Sequence, residues 1–196
     1  MRGKSVASAA GRRACVRGFT MIEIMVVVTI IAIMLVVGVP AMGEFVADQR
    51  VRTVASDIMG EIALARAKAI ETSRRVYIEK LGANWNNGWR LYADMNDDAA
   101  YDPAVDQELK RFDGFTAGTI YVCTSPAGAF PTQIAFRPDG RIVRAGAVTA
   151  TDGIYVVDTM GDGVLANDKI RGVQFGLSGR ATVVKLNGTV APCAAN

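Results

Sequence analysis

Between Ile24 and Val39 the chain is an almost unbroken apolar run, with Thr29 the one polar side chain inside it. After Pro40 the pattern turns one-sided. Val51, Val54, Ala55, Ile58, Ile62, Ala65 and Ala69 recur at three- and four-residue steps, with Asp48, Arg50, Arg52, Asp57 and Glu61 between them. No proline interrupts this second stretch up to about Thr72, and its alanines and straight-chain residues favour helix. The pattern predicts a single helix of about 50 residues, apolar in its first half and amphipathic in its second. From Arg75 onward the period shortens to runs rich in β-branched and aromatic residues: 76–81, 89–92, 119–123, 132–136, 154–157, 172–177 and 181–186. Gly, Asp, Asn and Pro punctuate the gaps, as in Pro138-Asp139-Gly140 and Ser178-Gly179. Antiparallel hairpins packed on the helix stripe follow, an α+β fold. Four segments are expected: a basic leader (1–18), an apolar half-helix (19–43), an amphipathic half-helix (44–74) and a β-rich body (75–196).

As a helix, residues 19–42 would span about 36 Å, enough for the roughly 30 Å hydrocarbon core of a bilayer. The basic residues before it hold that end in the cytoplasm. A single-pass membrane segment is the physical default. A cleaved secretory signal and a plain signal anchor share the basic flank and the apolar run. The secretory signal has a shorter apolar core, of about 7–15 residues. Neither has a use for Glu23, a carboxylate that costs roughly 2.5–3.5 kcal/mol inside an apolar span and less near its edge. A helix that packs against copies of itself has one, if a neighbour's cation is brought alongside.

Charge and composition narrow the function classes. The first 18 residues hold five of the 22 Lys and Arg residues and none of the 19 acids, leaving 17 basic against 19 acidic side chains beyond them. The net charge of +3 therefore reports a basic leader rather than a nucleic-acid-binding body. There is no His, which excludes His-based acid–base catalysis, the Ser-His-Asp arrangement and His-ligated metals. Neither a P-loop nor a GxSxG nor a GxGxxG motif occurs. No enzyme activity and no cofactor is expected. Cys15 lies in the leader, and Cys123 and Cys193 remain as an even pair, a count that suits an oxidising compartment. Two buried thiols are the alternative; a bridge would close a loop of roughly 70 residues, worth on the order of 4 kcal/mol in the chain-entropy description.

Gly18-Phe19-Thr20-Met21-Ile22-Glu23 resembles the class III signal motif of type IV pilins and pseudopilins, with Met21 where Leu is usual. The resemblance implies cleavage by a prepilin peptidase between Gly18 and Phe19 and N-methylation of Phe19. It implies that Glu23, fifth in the mature chain, pairs with the N-terminal amine of an adjacent subunit. Pro40 matches a recurrent family proline that kinks or loosens the helix by removing one backbone donor. Leu64–Ile70, Arg75–Ile78, Gly88–Asp94, Phe136–Gly140 and Val173–Arg180 are similar, in that order, to the FimT/GspH branch of minor pilins and pseudopilins. What the resemblance implies is a minor type IV pilin that assembles or primes a pilus, with a role in DNA uptake or adhesion. The alternative is a GspH-like minor pseudopilin of type II secretion. Either way the expected partners are other pilins or pseudopilins, met through the N-terminal helix. The expected location is the inner membrane with a periplasmic C-terminal body, then the pilus or pseudopilus.

Two further features invite chemistry. Asp94, Asn96 and Asp98 place oxygens at alternate positions, like the opening of a calcium loop, but the terminal Glu and central Gly of that loop are missing at the expected offsets. A solvated turn is the plainer reading, and no metal is expected. Asp158, Asp162 and Asp168 form a second acidic loop. Some FimT-type pilins resemble DNA receptors with a GRxR motif. Gly179-Arg180-Ala181-Thr182 keeps the first arginine and has Thr182 for the second. Arg141 and Arg144 offer a pair at similar spacing in a different hairpin. One or two arginines give weak, salt-sensitive contacts, so DNA enters as a weak candidate partner.

Overall fold

The computed structural model describes residues 18–115, 118–124, 130–143, 152–161, 168–176 and 178–186, with only the backbone of Pro40 and Ala41. Helix α1 covers Met21–Thr72, 52 residues. Thr20 caps its start: the Glu23 N–H donates to Thr20 Oγ1 at 3.3 Å and the Ile24 N–H to the Thr20 carbonyl at 3.3 Å. At the other end Ser73 takes a positive φ of 54° and the chain leaves for the sheet. The chain divides into two units, Met1–Ala41 and Met42–Asn196.

Of the first unit, residues 18–39 are exposed throughout. Helix α1 is long and apolar enough to cross a membrane by length and composition.

The second unit holds the hydrophobic core. On α1, Ala47, Val51, Ala55, Ile58, Ile62, Ala65 and Ala69 are buried, the stripe that the three- and four-residue spacing predicts; Val54 is half-buried beside them. This stripe meets two antiparallel sheets. The strands are β1 (Arg75–Lys80), β2 (Trp89–Asp94), β3 (Gln107–Phe112), β4 (Ile120–Thr124), β5 (Gln133–Phe136), β6 (Ile142–Val143), β7 (Gly153–Asp158), β8 (Lys169–Phe175) and β9 (Ala181–Leu186). Five of them form a sheet in the order β3-β2-β1-β5-β6, and four form a second in the order β4-β7-β8-β9. The antiparallel hairpins expected from the strand spacing are present, and they sort into two sheets because β1 pairs with both β2 and β5 while β7 pairs with β4 and β8.

Strand alternation divides the five-stranded sheet between two clusters. Val76, Ile78, Leu91, Ala93, Ile134 and Phe136 join the helix stripe. Tyr77, Tyr92 and Ala135 point the other way and are covered by Ala99 and Tyr101 of the β2–β3 loop. Tyr77 and Tyr92 stack with ring centroids 5.3 Å apart, Tyr101 meets Tyr92 edge-on at 5.2 Å, and the Arg90 guanidinium sits 4.2 Å from the Tyr101 ring centroid. Strand β3 is an edge strand, and its sequence Gln-Glu-Leu-Lys-Arg-Phe leaves only Leu109 and Phe112 half-buried.

At Gly172 the requirement for glycine is one of space. A Cβ on Gly172 of β8 would lie 2.9 Å from Cε1 of Tyr155, its register partner on β7. The bare backbone there is the seat of the Tyr155 ring.

Candidate processing and assembly segment

The residues that carry the chemistry of the first unit sit at its start. Gly18 and Phe19 precede the helix and are exposed, Phe19 by 74 %. Glu23 occupies the first turn of α1, where a carboxylate also complements the partial positive charge of the helix N-terminus. Among the described residues no cation lies within ion-pair distance of it. From Ile24 to Val39 the exposed side chains are Ile, Met, Val, Thr, Ala, Leu and Gly. Such a surface is stable only under lipid or under the apolar faces of other chains. Helix α1 runs through Pro40 without a break.

Charged pairs hold the first turns of the second unit against β8. Arg171 Nη2 lies 2.8 Å from Asp48 Oδ1, Arg52 Nε 2.8 Å from Asp48 Oδ2, and Lys169 Nζ 3.1 Å from Glu44 Oε2. The hydrogen bond from Arg171 holds the Asp48 carboxyl below the usual carboxylate range against the opposing effect of burial, and Arg52 adds to the lowering.

A buried acid that the sequence reading placed on the polar face lies in the core. Glu61 is 5 % exposed, accepts a hydrogen bond from Trp89 Nε1, and lies 2.7 Å from Lys110 Nζ of β3. It borders a small cavity with Ile58, Ile78, Trp85, Trp89, Val122 and Ile154. A spacing signal existed: Glu61 stands three residues after Ile58 and four before Ala65, on the buried stripe.

The other sequence-derived site residues are dispersed. Asp94 is fully buried at the end of β2, and its two oxygens accept the backbone N–H groups of Asp97 (2.7 Å) and Ala99 (3.0 Å). Asn96 and Asp98 hydrogen-bond each other at 2.9 Å on the exposed side. Asp106, also buried, accepts from Met95 N and Asp102 N at 2.9 and 2.8 Å. The carboxylates thus hold the loop's own backbone, and no group of three ligating side chains that could hold a metal is found among the described residues. Asp158 and Asp168 flank the second acidic loop, whose Asp162 lies outside the described residues. Cys123 sits on β4, opposite Tyr155 of β7; Cys193 lies outside the described residues. Arg141 and Arg180 are exposed, and Arg144 lies outside the described residues.

An exposed Gly-Phe pair ahead of the helix, an acid in its first turn, an exposed apolar half-helix and a β-body seated on the amphipathic half are the features of a pilin-like subunit. The family described as "Type II transport protein GspH" matches residues 54–187, and the chain belongs to it. The "Prokaryotic N-terminal methylation motif" matches residues 13–39, which implies processing by a prepilin peptidase. Such subunits assemble with others of their kind and are structural, not enzymatic. The type IV minor pilin FimU of Pseudomonas aeruginosa is similar in two crystal forms. One is 15 % identical, covering 74 % of this chain and 95 % of that one with a TM-score of 0.47. The other is 14 % identical, covering 71 % and 94 % with a TM-score of 0.43. No curated protein matches.

Proposed function

We propose that this chain is a minor pseudopilin of a type II secretion system. The carrying observation is the GspH family match across residues 54–187. It reverses the order of the two readings drawn from the sequence, which put the type IV pilus first, because the methylation motif serves both machines equally. In this reading residues 19–43 hold the precursor in the inner membrane with the body on the periplasmic side. The peptidase cuts between Gly18 and Phe19 and methylates Phe19. The apolar half of α1 then passes from lipid to the filament core, where Glu23 meets the N-terminal ammonium of a neighbouring subunit and the cost of its burial is offset. Pro40 has no N–H for the carbonyl of Val36, so the helix yields there during that passage. Cys123 and Cys193 form a disulfide in the oxidising periplasm.

Deleting the gene in its host separates the machines. Loss of secreted exoproteins with surface pili intact supports the pseudopilin. Loss of pili with secretion intact overturns it in favour of a minor pilin.

A further inference from the structure

Strand alternation gives the four-stranded sheet two faces. Ile154, Val156 and Val173 join the helix stripe, and Arg171 on the same face reaches Asp48 of α1. Tyr155, Val157 and Ile170 point the other way. All three are buried, yet they join neither hydrophobic cluster formed by the described residues. Tyr121 stands in one cross-strand row with Val157, Ile170 and Leu186 and is 43 % exposed, while Tyr155 one row away is 2 % exposed. A bare sheet face would leave its central side chains open to water. Something covers this one.

Cys123 marks where the cover is fastened. It lies on the same face, opposite Tyr155, in the row that continues through Gly172 to Val184. Strand β9 ends at Leu186, whose Cδ1 would lie 3.6 Å from a Cβ on Gly172, so it stands on this face too. From Leu186 to Cys123 is three strand spacings and two residues, roughly 16 Å. The seven steps from 186 to 193 reach about 24 Å when extended. Residues 187–196 carry no charged side chain, and Val190, Ala191, Pro192, Ala194 and Ala195 are apolar. In the body, they are the segment outside the described residues that holds a cysteine.

We propose that residues 187–196 form a strap across this outer face, fastened by a Cys123–Cys193 bridge and covering Tyr155, Val157 and Ile170. The proposal rests on the bridge assigned above and gives it a task. Closing it takes one proton from each thiol and two electrons in all, accepted by a disulfide of the oxidising compartment that leaves as two thiols. The face is therefore sealed only after the body has crossed the membrane. A sealed face leaves the apolar half-helix as the surface offered to other subunits. The rival occupant position is specific: Asn187-Gly188 is a two-residue hairpin signal. Such a hairpin would set Ala191 beside Val184 and Cys193 beside Thr182, four strand spacings from Cys123, about 19 Å. Bridged cysteines need Cα atoms within about 7 Å, so hairpin and strap exclude each other.

Hydroxyl-radical footprinting of the full-length chain in detergent, read by mass spectrometry, is compared with a chain ending at Leu186. Labelling of Tyr155 is expected to rise about tenfold in the shortened chain, toward that of Tyr121, while fully buried Tyr92 of the other sheet stays protected. Peptide mapping of the intact chain without reduction should recover position 123 joined to 193. In the intact chain, nuclear Overhauser effects from the Tyr155 ring to the Val190 or Ala191 methyls report the same cover, whether or not the shortened chain folds. Their absence overturns the proposal, as does a Tyr155 that stays protected in the shortened chain together with Tyr92. Free thiols at both positions with the Ala191 methyl beside Val184 establish the hairpin and overturn both strap and bridge. The assignment to secretion is untouched by either failure, because gene deletion tests it separately.

Discussion

Arg171 on β8 and Asp48 on α1 meet at 2.8 Å, the arginine side chain 12 % exposed and the aspartate 22 %. This pair, with Arg52 on the second Asp48 oxygen, fastens the start of the body's helix to the middle of the four-stranded sheet.

Removing the arginine leaves a partly covered carboxylate with only Arg52 beside it. Arg171→Ala is expected to cost about 1.5 kcal/mol at pH 7, a fall of roughly 3–6 °C in Tm for a unit of this size. Asp48 has its carboxyl lowered below 3.8 in the folded chain. Its contribution is complete above that ordinary value and disappears as pH falls through the lowered one. The difference between variant and wild type should therefore shrink in melts taken at pH values progressively below the ordinary carboxylate range. A difference that is constant with pH would show that the arginine acts by packing alone.

Glu61 answers to two partners at once. Glu61→Ala strips both Trp89 Nε1 and Lys110 of their acceptor and is expected to destabilise by about 3 kcal/mol. Glu61→Gln keeps an acceptor for the indole and loses only the attraction to half-exposed Lys110, so it should cost less than half as much. Urea midpoints at neutral pH check the ranking.

Glu23→Ala should leave cleavage after Gly18 and methylation of Phe19 intact, because the cut precedes any pairing of subunits. Recovery of the subunit in filaments assembled with the other pseudopilins should fall at least about tenfold, the loss of a charge pair in an apolar core. N-terminal sequencing gives the first quantity and immunoblotting of the filament fraction the second. Wild-type recovery would count against the pairing role.

Alkylation of the mature chain under denaturing, non-reducing conditions should find no free thiol, and reduction should release two. Cys193→Ser should lower stability by up to about 4 kcal/mol, less any structure that the reduced chain retains.

The helix was legible because its cause is local: seven apolar residues from Val51 to Ala69 repeat at the helical period, and six of them are buried with Val54 beside them. The cleavage motif needs no fold at all, since it is read as a linear string. Strand β3 was invisible for the opposite reason. Its alternation is spoiled by Glu108, Lys110 and Arg111, which suit an edge rather than a hydrophobic face. The division into two sheets was not legible either, because β4 finds β7 only after a gap of some thirty residues that no local pattern encodes. Glu61 was read as a surface charge although its spacing put it on the stripe. Its acceptor role depends on Trp89 and Lys110, which lie far along the chain.

Charged β3 has one more effect. A molecule recruited into a growing fibre through its greasy helix would be in danger if its sheets could also recruit neighbours, since backbone donors on an open rim add strands from any passing chain. Lysine, arginine and glutamate along that rim make such addition costly. At this rim, the capture of another chain's backbone is thereby disfavoured, and the body can be packed close to its neighbours there without fusing its sheet to theirs.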